Sequence, residues 1–250
     1  MPAESAMPAS EFSRSFGERA DSYQRMRPTY PPAAVDFVLH GRSPGRVLDV
    51  GAGTGKLTRL LLDRAEQVVA VEPDPQMRRV LSSAVPDAEV LAGSAERLPL
   101  PDASVDAIFA GQAFHWFARP ATDHELARVL RPGGVVGLIW NMPDQSVPWL
   151  PELAQAVRQP EATESDDYQD LDTALFTPAE QDWTSWTYPL PGLAGLRELV
   201  HTWSWVITRP AAEQQAIDER LRILATRHAE LQGETIGFPY RTMTVRQYLR

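Results

Sequence analysis

Val47-Leu48-Asp49-Val50-Gly51-Ala52-Gly53-Thr54-Gly55 is the stretch from which the rest of the chain is best read. An apolar run leads into Asp-x-Gly-x-Gly-x-Gly, and the residues from Thr54 to Arg64 then place Leu57, Leu60 and Leu61 on one side of a helix. This order predicts a buried strand, a glycine loop and a helix. Glycine at alternate positions lets the backbone turn sharply and approach a ligand closely.

The same rhythm continues outward from the loop. Residues 46–50, 67–71, 88–92, 105–110 and 134–140 are short Val-, Ile- and Leu-rich runs, and helical stretches at 54–64, 75–84 and 121–130 lie between them. Strand alternating with helix is the pattern of a parallel α/β sheet. Pro75 at a helix start and Pro132-Gly133-Gly134 at a helix-to-strand turn agree with it. Beyond residue 140 the pattern predicts helices at 144–160, 165–175, 193–201 and 211–231, a strand at 183–188 and a terminal strand within 236–248.

Composition narrows the function. The 250 residues carry a formal charge of −9, are 43% hydrophobic and include no cysteine. A chain of this size buries roughly 70–75% of its unfolded surface, enough for a core without disulfide or metal. Thiol chemistry is excluded, and the five histidines (His40, His115, His124, His201, His228) show no close ligand spacing, so no metal is expected. The acidic balance argues against a sequence-independent grip on nucleic acid. The absence of an apolar leader or of about 20 consecutive apolar residues leads to the expectation of a cytoplasmic protein without a membrane partner.

Two cofactor classes share a strand, a glycine loop and an acid ending the next strand, here Glu72 after Val68–Val71. A pyrophosphate ligand calls for G-x-G-x-x-G at a helix N-terminus. Here the glycines alternate and Asp49 repels a pyrophosphate while welcoming a cationic amino acid.

VLDVGAGTGKLT resembles motif I of the class I methyltransferases that use S-adenosylmethionine. Further matches follow in order: Glu72-Pro73-Asp74, Gly93-Ser94-Ala95-Glu96, the stretch LPLPDASVDAIFAGQAFHWF and Leu130-Arg131-Pro132-Gly133-Gly134. The strong likeness covers residues 40–142. The segment Phe16–Pro31 is similar to the N-terminus of small-molecule members of the type 11 group, including the trans-aconitate methyltransferase-like branch. The resemblance implies a Rossmann-like, seven-stranded, mostly parallel sheet with helices on both faces. It also implies an N-terminal helical arm (1–30), a cofactor core (40–142) and a substrate cover of helices and strands (143–250) within one domain.

By that resemblance Asp49, Gly51, Ala52, Gly53 and Gly55 position the methionine part of S-adenosylmethionine, Glu72 holds the ribose, Pro73 lines the base, and Ser94, Ala95 and Glu96 hold the adenine. Gln112, at the end of the fourth strand, joins the cofactor set. His115 is the candidate base, because ligands of a parallel sheet meet the carboxyl ends of its strands. Trp116 and Asn141 occupy the same rim. Tyr23, Arg25, Arg27 and Tyr30 are placed on the acceptor side if the arm folds over the site. Its arginines then favour a carboxylate, and an oxygen acceptor on a small molecule is expected, with S-adenosylhomocysteine as the second product. Residues 161–172, with six acids in twelve, read as a solvated face or a cap. The competing readings are a nucleotide-dependent oxidoreductase and a cofactor-binding protein without catalysis.

Overall fold

The computed structural model of the protein describes residues 26–158 and 170–250. Its elements are α1 (Pro32–Leu39), β1 (Arg46–Val50), α2 (Lys56–Leu62), β2 (Gln67–Val71), α3 (Pro75–Ala84), β3 (Glu89–Leu91), β4 (Val105–Gly111), α4 (Ala121–Val129), β5 (Leu130–Pro143), α5 (Trp149–Ala156), β6 (Glu180–Leu190), α6 (Gly192–Val200), α7 (Ser204–Ile207), α8 (Ala211–Arg227) and β7 (Ile236–Tyr248). A 3-10 turn, Phe114–Trp116, follows β4.

The strands form one seven-stranded sheet in the order β3-β2-β1-β4-β5-β7-β6. β1 to β5 pair in parallel, and β7 returns antiparallel between β5 and β6. The order reverses between β1 and β4, and open α/β sheets bind ligands beyond the carboxyl ends of the strands at such a point.

Period-two alternation explains how each strand is buried. In β1, Val47 packs into the cluster containing Leu57 and Leu61 of α2, whereas Leu48 and Val50 join the cluster on the opposite face with Ile108 and Leu126. Asp49 therefore shares the α2 face with Val47. Each fully buried Leu or Ile of these clusters contributes roughly 1.5–3 kcal/mol relative to exposure. α3 starts where its sequence dictates: Pro75 occupies the first turn, and the Asp74 carboxylate accepts from the amides of Gln76 and Met77, both at 2.8 Å.

A third cluster, with Trp149, Leu153, Leu196, Leu221 and Phe238, joins α5, α6 and α8 to β7, and Met26 packs into it. The helix expected at 165–175 is not found over its described part, 170–175. Tertiary partners hold that segment instead: the Leu171 amide donates to Gln247 Oε1 at 2.7 Å and the Asp172 amide to Asp123 Oδ2 at 2.9 Å. The remainder of that segment lies outside the described residues. Among the described residues no helix is long and apolar enough to cross a membrane.

Candidate functional site

A cavity of about 580 Å³ opens at the reversal point, at the carboxyl ends of β1, β2, β4 and β5. Its floor is the glycine loop. Gly55 has φ +87°, and a Cβ there would stand 2.5 Å from Leu81 Cδ1 and 2.8 Å from Val85 Cγ2, so glycine alone lets the loop lie against α3. Gly53 differs: φ is +57°, but nothing lies within 4 Å of where its Cβ would be. Its open side is a cradle.

Asp49 is 1% exposed and accepts a 2.7 Å hydrogen bond from the Thr58 hydroxyl of α2. Burial pushes its pKa up to about 7 against the lowering effect of the Thr58 bond, and the nearby Glu72 charge adds to the rise. The cavity floor thus carries an acid that ionises far less readily than an exposed carboxyl.

Glu72 is gripped by the backbone. Its Oε2 accepts from the Gly53 amide at 2.8 Å and its Oε1 from the Asp74 amide at 2.9 Å. Burial raises its pKa and these two bonds oppose the rise. With one backbone donor on each oxygen, both oxygens keep a lone pair for a further donor. Ser94, Ala95 and Glu96 line the next part of the wall. Burial raises the Glu96 carboxyl, but bonds from the Ala118 amide (2.8 Å) and the Ser94 hydroxyl outweigh it and hold it low.

The opposite wall is aromatic. Trp203 and Trp205, from α7 and the turn before it, line the cavity with Tyr240 of β7, Phe117, Trp116 and His115. Protein on most sides of His115 pushes its pKa down to about 4 by desolvation. Water reaching the imidazole from the cavity weakens that effect, but the ordinary value of about 6.5 also leaves it mostly neutral at pH 7. Gln112 holds φ +54°, and its side chain donates to the Asn141 carbonyl at 2.7 Å. Arg27 donates to the Thr202 carbonyl at 2.9 Å.

The structure brings together at one cavity Asp49, Gly51, Ala52, Gly53, Glu72, Pro73, Ser94, Ala95, Glu96, Gln112, His115, Trp116, Asn141, Arg27 and Tyr30. Gly55 stands behind the loop against α3. Tyr23 and Arg25 lie outside the described residues. Trp183 is 44% exposed on β6 under the guanidinium of Arg241, away from the cavity. Sequence reasoning missed Thr58, Met77, Met142 and Tyr240; for Thr58 a signal existed, since it stands three residues beyond the last loop glycine on the buried side of α2.

Residues 48–138 match the family model described as a methyltransferase domain. An uncharacterized methyltransferase of Mycobacterium tuberculosis is 41% identical over 242 residues, which cover 96% of this chain and 97% of that protein. The chain belongs to the class I S-adenosylmethionine-dependent methyltransferases. The malonyl-[acyl-carrier protein] O-methyltransferase of Methylococcus capsulatus is 43% identical over 100 residues, 38% of this chain and 36% of that one. Among solved structures, a putative type II methyltransferase from Anaeromyxobacter dehalogenans shares the fold with a TM-score of 0.65 and 24% identity, covering 90% of this chain and 97% of that chain.

The cofactor of this methyltransferase is S-adenosylmethionine, and the cavity residues suit it. The open cradle at Gly53 admits a ligand close to the backbone, buried Asp49 offers a countercharge to a cation, and Glu72 offers two fixed acceptors to a pair of hydroxyls. Pro73 and Met77 supply an apolar wall suited to a base.

Proposed function

We propose that the methyltransferase acts on oxygen in a small acid or hydroxylated molecule. The observation that carries this reading is the division of charge along the cavity. Asp49, Glu72, Asp74 and Glu96 lie on the side of the glycine loop and of β2 and β3, where Lys56 also lines the cavity and four carboxyl groups to one ammonium leave that side acidic. Arg27 is the fixed positive charge on the aromatic side, among the described residues. A guanidinium binds a planar carboxylate through two parallel hydrogen bonds, and the rings of Trp203, Trp205 and Tyr240 suit an apolar body.

In this reading residues 40–142 hold the cofactor, residues 143–250 cover the substrate, and residues 26–31 stand at the rim beside it. Asp49 and the loop glycines hold the methionine part, Glu72 the ribose, and Ser94, Ala95 and Glu96 the adenine. S-adenosylmethionine supplies a sulfonium methyl, an electrophile needing no further activation. The chain's task is to hold the acceptor in line and exclude water. Such positioning is worth roughly 7–11 kcal/mol in well-oriented systems.

A carboxylate acceptor has no proton to lose. His115, neutral at pH 7, then orients the acceptor or shapes the wall. His115→Gln is expected to lower kcat less than about tenfold, below the ~10²–10⁴ typical of a lost general base, and kcat should stay level between pH 6 and 9. A larger loss, together with a wild-type kcat that rises with pH as the imidazole loses its proton and a variant kcat that does not, would show that the histidine moves a proton.

Turnover of a panel of small carboxylic acids, phenols and amines, read as S-adenosylhomocysteine release, tests the reading. Acids should turn over, and Arg27→Met should raise their KM by about 10–100-fold, the cost of losing charge-assisted hydrogen bonds, while calorimetric affinity for S-adenosylhomocysteine changes less than threefold. Turnover of amines alone would overturn the oxygen acceptor. Cofactor binding without turnover of any compound would favour a non-catalytic binder.

A further inference from the structure

Asn141 stands at the end of β5, lines the cavity and is only 7% exposed. Its Nδ2 donates to the Thr29 carbonyl at 2.8 Å, and its Oδ1 accepts from the Thr242 hydroxyl at 2.6 Å. Thr242, on the neighbouring strand β7 and fully buried, in turn accepts from the indole Nε1 of Trp186 on β6 at 2.7 Å. Three adjacent strands thus carry a hydrogen-bonded row that ends on the segment leading into α1.

The row has a direction. An indole N–H only donates, so the Thr242 oxygen must accept from it, and the single hydroxyl proton is left for Asn141 Oδ1. That fixes which end of the amide is oxygen and turns Nδ2 toward the Thr29 carbonyl. The Thr29 carbonyl, which can only accept, selects the same amide orientation; without the indole the Thr242 hydroxyl is released to rotate away from Oδ1, and the amide keeps only one of its two fixed partners.

What is held matters to the site. Arg27 and Tyr30 flank Thr29 and both line the cavity. The Tyr30 hydroxyl rests over Gly111 at the end of β4, where a Cβ would be 2.6 Å away. We propose that Trp186 and Thr242 are positioning residues: they hold the Asn141 amide in place from its oxygen end, and the amide latches residues 26–31, with Arg27 and Tyr30, onto the rim of the cavity. The stacking of Trp186 on Tyr240, with centroids 5.5 Å apart and planes at 24°, ties the same ring to the aromatic wall. Only the task of Arg27 once held rests on the acceptor reading above.

The test uses the full chain without cofactor or acceptor, so it fails or succeeds separately from that reading. Hydrogen exchange read by mass spectrometry on peptides covering 26–31 is expected to quicken at least ~tenfold in Thr242→Val and in Asn141→Asp, the scale of one lost buried hydrogen bond. Peptides from β1 and β4 should keep their wild-type rates. Thr242→Ser, which retains the hydroxyl, should restore slow exchange. Trp186→Phe keeps a stacked ring but removes the donor, and should quicken exchange by about threefold or more. With an acceptor that turns over, Thr242→Val should raise KM more than it lowers kcat. The proposal is overturned if exchange at 26–31 is unchanged in both Thr242→Val and Asn141→Asp. Exchange as fast in Thr242→Ser as in Thr242→Val would also overturn it, because packing and not the hydroxyl would then hold the segment.

Discussion

At pH 8, Asp49→Asn should melt several degrees above the wild-type protein and bind S-adenosylmethionine at least a hundredfold more weakly. Both effects come from one buried carboxylate. Burial lifts its pKa from 3.8 to about 7. The folded chain therefore keeps a proton between pH 4 and 7 that the unfolded chain has lost. Asp49's contribution to stability is complete below pH 4, declines as pH rises toward 7, and is level above it, with a total loss of roughly 4 kcal/mol. Asparagine removes the charge but still offers Thr58 an acceptor, so much of that loss should be recovered. For a chain of this size about 2–4 °C accompanies each kcal/mol.

The ligand reverses the preference. A cationic sulfonium amino acid favours the ionised carboxylate, so binding to the wild type should weaken as pH falls below 7, by up to tenfold per unit, and level off above about 7.5. Desolvation pushes the neighbouring His115 down to about 4, and Asp49→Asn, which keeps the imidazole and loses only the carboxylate, separates any contribution of that ring from the contribution of Asp49. Calorimetry from pH 5.5 to 8.5 on both proteins, with thermal melts beside it, reads every term. A flat wild-type profile, or a variant that binds like the wild type, would show that Asp49 does not face the cationic part of the cofactor.

Much of the cofactor half was legible because its chemistry is local. Asp49, the glycines and Glu72 lie within 24 residues, and strand alternation with backbone sterics explains their placement. The strands β1, β2 and β4 were legible as continuous apolar runs because parallel strands are covered on both faces. The acceptor half was less so. Asn141 could be placed on the rim from its position after β5, but its partners Thr29 and Thr242 are 112 and 101 residues distant. Tyr240 reaches the cavity only because β7 returns between β5 and β6, a pairing that no short-range signal encodes. At 170–175 the same limit worked in reverse. A composition that reads as helix is overridden by bonds from Leu171 to Gln247 and from Asp172 to Asp123, the latter also paired with Arg119.

Glu72→Gln should weaken cofactor binding by about 10²–10³-fold, since hydrogen bonds to a charged acceptor contribute roughly 1.5–3 kcal/mol each and two would be affected. The geometry makes glutamine a poor substitute. Both carboxylate oxygens already accept from backbone amides, of Gly53 and of Asp74. An amide nitrogen in either place sets donor against donor, so the loop at Gly53 or the start of α3 must shift. Glu72→Asp retains the charge but withdraws it by one methylene, and an intermediate loss of about tenfold would separate reach from charge. A further consequence distinguishes Glu72 from an acid that merely caps the loop. Its charge is one of the causes holding the Asp49 pKa up. Neutralising Glu72 should therefore move the midpoint of the pH dependence of binding toward acid, whereas Asp49→Asn should abolish that dependence. Binding of Glu72→Gln within threefold of wild type, with the midpoint unmoved, would place the ribose elsewhere in the cavity and leave Glu72 as a backbone brace.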